Sequence, residues 1–281
     1  MPSLIPNRYQ HYMDVSGVVN ETVSGHEYVT VAGVCVLPDS GDAVRKSASS
    51  LPKWGNSTFE HASAAADLIC GTTLAAVALT LFKDTTAWAD FWSRSKQYRG
   101  RLAQTAHDRT GAAFTKAANV LKYMLFGDCS AALLGETVKR VGKPTLLGAD
   151  RLSAVQLQIV CDTDIQGEEN ISVFQYLWKH LEGNQPLINE LGLSEHVSSV
   201  AFATEQEEPL LLLADHLAGA FQAVAGGASR APRRMTDTQL ACVVRKYTSS
   251  NNLVHVDSTF DVPHEAIFGE TRLWQLLWPD A

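Results

Sequence analysis

The stretch EEPLLLLADHLAGAFQAVAGG, residues 207–227, constrains the fold of this chain more than any other. Acids and Pro209 stand at its start and glycines after its end, the order that helix termini favour. Between those ends it is apolar on nearly every side, so as a helix it must be packed inside the molecule. It nevertheless carries Asp215. A buried carboxylate is costly unless it is paired, hydrogen-bonded or bound to a metal. Ala218 and Gly219, three and four residues on, leave room for backbone or a ligand to approach on that side.

The remaining segments supply the layers that bury such a helix. YQHYMD (9–14) reads as a strand, and the valine-rich HEYVTVAGVCVLP (26–38) as a second, stopped by Pro38. Gly17 and Gly25 lie between them, which predicts an antiparallel pair. Residues 40–58 read as a loop. Thr58 then caps a short helix, FEHASAAADLIC. TTLAAVALTLFKD (72–84) suits a buried strand, although periodicity alone also allows helix. From Thr86 to about Leu134 the pattern is helical, with breaks expected near Arg99-Gly100 and Gly127-Asp128. AVQLQIVCD (154–162) alternates and ends at Asp162. NISVFQYLWKHLEG reads as an amphipathic helix, HVSSVAFATE (196–205) as a strand, and 236–248 as a last helix. Early antiparallel strands followed by strand–helix alternation predict an α/β fold: a mixed sheet of about five strands flanked by helices. The expected organisation is one domain over 1–225, with a helical insertion around 86–150 and a C-terminal extension over 226–281 packed on it.

Composition excludes several classes. With 46% hydrophobic residues among 281, the chain can bury a large core. A net charge of −7 means that nucleic acid can be bound only through a local basic patch. The five cysteines include no CxxC pair and sit among apolar neighbours. This predicts buried free thiols, a reducing cytoplasmic setting and no structural zinc. MPSLIPNRYQ lacks a signal pattern, and TTLAAVALTLF is too short to span a bilayer, so no membrane partner is expected.

Three acids stand out because they come from three separate elements: Asp14 and Asp162 at strand ends, and Asp215 in the buried helix. Each alone also fits a structural role. Asp14 could serve the turn before Ser16-Gly17, Asp162 could cap the turn after its strand, and Asp215 could pair with a buried arginine. Together they suggest a carboxylate site for Mg2+ or Mn2+, since hard cations take oxygen ligands. Ions so held can stabilise the attacking and leaving oxygens of a phosphoryl displacement.

YMDVSG (12–17) followed by YVTVAGVCVLP, and LADHLAG (213–219) late in the chain, resemble the domain of unknown function 3800 family, which is grouped with ribonuclease H-like folds. FEHAS (59–63) matches a short Glu-His motif of that family. The resemblance covers about residues 9–225. It implies a ribonuclease H-like sheet with catalytic, metal-binding acids at Asp14, Asp162 and Asp215, and a further acid from an intervening helix, for which Glu60 is the candidate and Asp108 the reserve. It also implies a metal-dependent nuclease or other phosphodiester hydrolase. The family's Glu after the first Asp is Val15 here. A member that binds without cutting, as a nucleic-acid-binding or protein-interaction module, is the alternative.

His61 and His216 adjoin the proposed acids and are candidates for proton transfer, although a lone helix histidine is more often structural. The densest basic segments are Arg94, Lys96, Arg99 and Arg101, and Arg230, Arg233 and Arg234. They are the candidate contacts for DNA or RNA phosphates. A second copy or a protein partner is the other expected class of partner. Trp88, Phe91 and Trp92 read as core or partner contacts.

Overall fold

A computed structural model of the chain describes residues 8–36, 41–90, 92–93, 117–142, 156–163, 197–226, 232 and 235–260. Its centre is a six-stranded mixed sheet: β1 (Arg8–Gly17), β2 (Tyr28–Val36), β3 (Thr73–Lys83), β4 (Gln156–Asp162), β5 (Val197–Ala203) and β6 (Leu253–Phe260). The order across the sheet is β5-β4-β1-β2-β3-β6. β1, β2 and β3 are antiparallel neighbours. β4 lies parallel to β1, β5 parallel to β4, and β6 parallel to β3. The expected adjacency of strand 154–162 to the first strand is therefore present. The sheet has six strands rather than five, because the C-terminal region donates β6 to the edge beyond β3.

Alternation along β1 assigns the two faces of the sheet. Gln10, Tyr12, Asp14 and Ser16 share one side; Tyr9, His11, Met13 and Val15 share the other. On the first side Tyr12, Ala32, Val34, Ala76, Ala78 and Val160 form one core with four helices: α1 (Gly41–Ala48), α2 (Phe59–Thr72), α4 (Leu211–Ala225) and α5 (Asp237–Thr248). On the second side lies α3 (Ala117–Gly142). A Cβ on Gly33 of β2 would stand 3.0 Å from Cys129 Sγ and 3.1 Å from Leu133 Cδ2. That glycine lets α3 settle close against the centre of the sheet.

Tertiary packing overrides local signals at two places. Residues 41–48 form α1 instead of a loop. The segment is mostly polar, but Val44 and Ala48 are buried and Arg45 makes two hydrogen bonds to Glu208, at 3.0 and 3.1 Å. Helix α3 also runs unbroken through Gly127-Asp128. A mid-helix glycine costs about 1 kcal/mol. Burial of Leu125, Phe126, Cys129 and Leu133 against the sheet offsets that several times over. The expected break near Arg99-Gly100 and the helix NISVFQYLWKHLEG lie outside the described residues.

α2 begins where the sequence places it. Thr58 and His61 form a reciprocal cap, each side chain meeting the other's backbone N–H. Gly17 ends β1 with φ +104°, and a Cβ there would lie 2.8 Å from the Tyr28 carbonyl oxygen, so only glycine fits. Cys35, Cys129 and Cys161 are buried free thiols; Cys70 is partly covered, and Cys242, against expectation, is exposed. Trp88 and Trp92 are buried as core residues. His11 is fully buried on the α3 face opposite Cys35. Neither of its ring nitrogens has a partner among the described residues, and burial pushes its pKa down to about 3.

Candidate acidic site at the ends of the central strands

Parallel pairing brings the first two acids together. Met13 stands opposite Cys161 on β1 and β4. One step on come Asp14 and Asp162, both on the face of Tyr12 and Val160 that α4 covers. Asp14 is 6% exposed, and its Oδ1 accepts a hydrogen bond from the Val15 N–H at 2.6 Å. Asp162 Oδ1 accepts one from the Thr163 N–H at 2.8 Å. Asp14 does not end its strand: it pairs with Ala32, and β1 continues to Gly17. Val15 faces the opposite side, so a glutamate there would not share a ligand with Asp14.

Asp215 arrives from α4. Its Oδ2 accepts a hydrogen bond from the Trp54 backbone N–H at 2.6 Å. Burial pushes its pKa up to about 6. The Trp54 N–H opposes that rise, as does the charge of Lys53; the charges of Glu205 and Asp162 reinforce it. Glu205 follows the end of β5 and forms an ion pair with Lys53. Its side chain is 11% exposed, that of Lys53 58%. The bond to Glu205 chiefly holds the Lys53 ammonium charged, and Asp162 and Asp215 add to it. Asp162, Glu205 and Asp215 thus form one electrostatic group, faced by Lys53. The cation beside Asp215 is this lysine, not the arginine that a structural role suggested.

The small residues beside Asp215 have a different occupant from the one their sequence suggests. A Cβ on Gly219 would lie 2.3 Å from Cδ1 and Cγ of Trp54. The indole fills that space while the backbone N–H of the same residue holds Asp215. The loop carrying Trp54 is pinned by His216, whose Nε2 donates to the Pro52 carbonyl oxygen at 2.8 Å and meets Ser57 Oγ at 3.2 Å. The Trp54 and His216 rings meet edge to face, with centroids 5.7 Å apart. Replacing Gly219 by alanine is expected to cost about 1–3 kcal/mol by overpacking. It should also shift the fluorescence of Trp54. A urea midpoint within error of the parent would show that the close approach of the indole carries no energetic weight.

The other predicted residues have local tasks or fall elsewhere. His216 is fully buried, and desolvation pushes its pKa down to about 4. Its contacts make it the anchor of the 52–57 loop. His61 Nδ1 accepts from the Thr58 N–H at 3.3 Å, so this histidine caps α2. Glu60 is exposed in the first turn of α2, where the Thr58 side chain and its own backbone hold its carboxyl below the usual range. The charges acting on Asp215 are those of Glu205, Lys53 and Asp162. Asp108, Arg94, Lys96, Arg99, Arg101, Arg230, Arg233 and Arg234 lie outside the described residues. Among the described residues, no group of three or more His, Cys, Asp or Glu side chains is placed to hold a metal ion.

Glu205, Lys53 and Trp54 are the members that sequence reasoning missed. Glu205 gave a usable signal: like Asp162, it closes a predicted strand. Lys53-Trp54 gave none, because the segment reads as loop. Beside Lys53 and Glu205 opens a cavity of about 580 Å³, also lined by Ser49, Leu51, Thr204, Gln206, Pro209 and Leu212.

No protein-family model, curated protein or solved structure matches the chain. Among the described residues no helix is long and apolar enough to cross a membrane.

Proposed function

We propose that this chain is a divalent-metal-dependent phosphodiester hydrolase, a nuclease or a related enzyme, built on a ribonuclease H-like sheet. The observation that carries the reading is the acidic group itself. Asp215 is buried beside Asp162 and Glu205; burial first, and the charges of those two acids after it, push its pKa up to about 6 against the Trp54 N–H and Lys53. The strand order supports the fold assignment: three antiparallel strands, then β4 parallel to β1 and β5 parallel to β4.

The donor chemistry fits Mg2+ or Mn2+, since every acid offers hard oxygen. Asp162 and Asp215 would hold the ion, with Asp14 on the neighbouring strand as the third proposed ligand. A bound ion would polarise the phosphoryl oxygen and make water a better nucleophile. The chain's own contributions are separate. Burial on the α4 face limits the water around Asp215, the Trp54 N–H aims its carboxylate, and Lys53 supplies a mobile positive charge at the rim. The proposed substrate is DNA or RNA, with the basic segments around 94–101 and 230–234 as its phosphate contacts. Reversing the charge of both segments would weaken binding and flatten its salt dependence.

The alternative is a non-catalytic nucleic-acid-binding or protein-interaction module on the same sheet. Two contacts favour it: the Trp54 N–H bond to Asp215 and the Lys53–Glu205 pair satisfy two of the acids without any metal. Manganese titration by calorimetry, with a nuclease assay on single- and double-stranded DNA and RNA, separates the readings. The hydrolase reading expects binding and cleavage, both lost in Asp215→Asn. Binding with no cleavage on any of these substrates supports the module. No binding by the parent removes the metal site.

A further inference from the structure

We propose that the outer edge of β6 pairs with the same edge of a second copy of this chain, antiparallel and in one register, with Val256 meeting the partner's Val256 on the twofold axis. This edge is separated from β1 by β2 and β3, and the inference does not depend on the hydrolase reading.

β6 is the last strand on its side of the sheet, and among the described residues nothing pairs with its outer edge. A strand edge left open is a template for another strand. Its backbone phase is fixed by β3. Ala76 stands opposite Leu253, and its N–H donates to the Asn252 carbonyl oxygen at 2.7 Å. Alternation then turns the backbone groups of Val254 and Val256 toward β3 and those of Leu253, His255, Asp257 and Thr259 outward. Exposed apolar surface gathers at the same edge. Among the described residues the exposed large hydrophobics are Phe82, Val224 and Val256. Val256 lies on β6 itself, and Phe82 lies on β3 opposite Thr259. Val224 stands one turn beyond Phe221, whose ring stacks on His255 with centroids 4.0 Å apart.

A twofold pairing must be self-complementary, and that selects the register. An axis through His255 or Asp257 would set two imidazoles or two carboxylates directly opposite each other, which is unfavourable. Axes through Val254 or Ser258 shorten the overlap of the two strands. An axis through Val256 pairs residues 253–259, nearly all of Leu253–Phe260. It sets the outward backbone groups of His255 against those of the partner's Asp257, twice over. On the α4 face each imidazole then meets a carboxylate, to which its N–H can donate. Asp257 has the capacity for this: its side chain is 73% exposed, and the contact with its own His255 engages only Oδ1, at 3.2 Å. On the α3 face, where Val256 stands opposite Leu79, the two Val256 side chains cover each other.

The test is sedimentation velocity on the full chain over a concentration series. The parent should show a monomer–dimer equilibrium with Kd in the micromolar range, as suits a small strand-to-strand interface. Val256→Lys should leave the chain monomeric throughout with an unchanged circular dichroism spectrum, since Val256 is exposed. Asp257→Lys should weaken the dimer about tenfold. Mixing that variant with His255→Asp should restore association, because the introduced lysine and aspartate then face each other while His255 still faces Asp257. Cross-linking reads the register. In a Cys242→Ser background, Val256→Cys should join two copies under mild oxidation, because directly opposed Cβ atoms lie about 4.5–5.5 Å apart. Asp257→Cys should not, because its own copy lies diagonally at roughly 7–8 Å, too far for a disulfide. A parent that stays monomeric across the series overturns the proposal. So does a dimer that survives Val256→Lys, or one that cross-links through Asp257→Cys as readily as through Val256→Cys.

Discussion

Between pH 7 and pH 5 the metal-free protein is expected to lose about 2–3 kcal/mol of stability, with two buried histidines as the cause. Burial holds His11 at about 3 and His216 at about 4. An unfolded histidine titrates near 6.5. Their contribution is therefore present above pH 6.5 and lost as the pH falls toward the folded values. Over this interval each histidine removes about 2 kcal/mol, since the unfolded chain takes up a proton that the native state refuses. Asp215 works in the opposite sense. Its folded pKa of about 6 lies above the ordinary carboxylate value, so protonation near pH 5 returns about 1.3 kcal/mol. Two histidines against one aspartate leave a net loss, a large share of a marginal total. His11→Phe should remove about 2 kcal/mol of that fall. It should also raise stability at pH 7, because two buried nitrogens without partners among the described residues disappear. Urea unfolding at half-unit pH steps reads both effects. A parent whose stability is flat down to pH 5, or a His11→Phe variant that falls as steeply as the parent, would show that the buried histidines do not govern the acid limb.

Asp215→Asn is expected to stabilise the metal-free protein at pH 8 by up to about 3 kcal/mol. The native carboxylate titrates near 6 and the unfolded one near 3.8. Its stability contribution is thus intact below pH 3.8 and is lost as the pH rises through 6. Each pH step between those two values removes about 1.4 kcal/mol, because the unfolded carboxyl has ionised and the native one has not. Asparagine approximates the neutral form at every pH and can still accept the Trp54 N–H. The gain should shrink toward zero near pH 4. For a chain of this size it corresponds to a rise in melting temperature of roughly 5–10 °C in the presence of a chelator. Manganese should reverse the order, because it stabilises only the protein that binds it. A variant less stable than the parent at pH 8 without metal would mean that the acidic group is already neutralised, by Lys53 or by other contacts. Such a result would favour the binding module.

The mutual position of Asp14 and Asp162 shows how far local signals reach. Each sits in a run whose alternation marks a strand, so the element and the face could be assigned from the chain itself. That the two strands are parallel neighbours, with Met13 opposite Cys161, is a property of the sheet and has no local mark. Edge strand β6 has no such mark either: its stretch HVDSTF is polar enough to resemble a tail, and the pairing of Val254 and Val256 with β3 is a property of the sheet.

The sequence by itself determined that α4 is buried, that it carries an acid which must find a partner, and that strands lead to two more acids. These are consequences of periodicity and of the cost of burying charge, and both act within a single segment. Only the tertiary structure decided who the partners are. Trp54 reaches Asp215 from 161 residues away, and Lys53 reaches Glu205 across a similar gap. The segment that brings them looks like a loop, because a polar turn acquires a role only when another element packs against it. Gly219 makes the same point: its lack of a side chain announces that something comes close, and packing chose the indole.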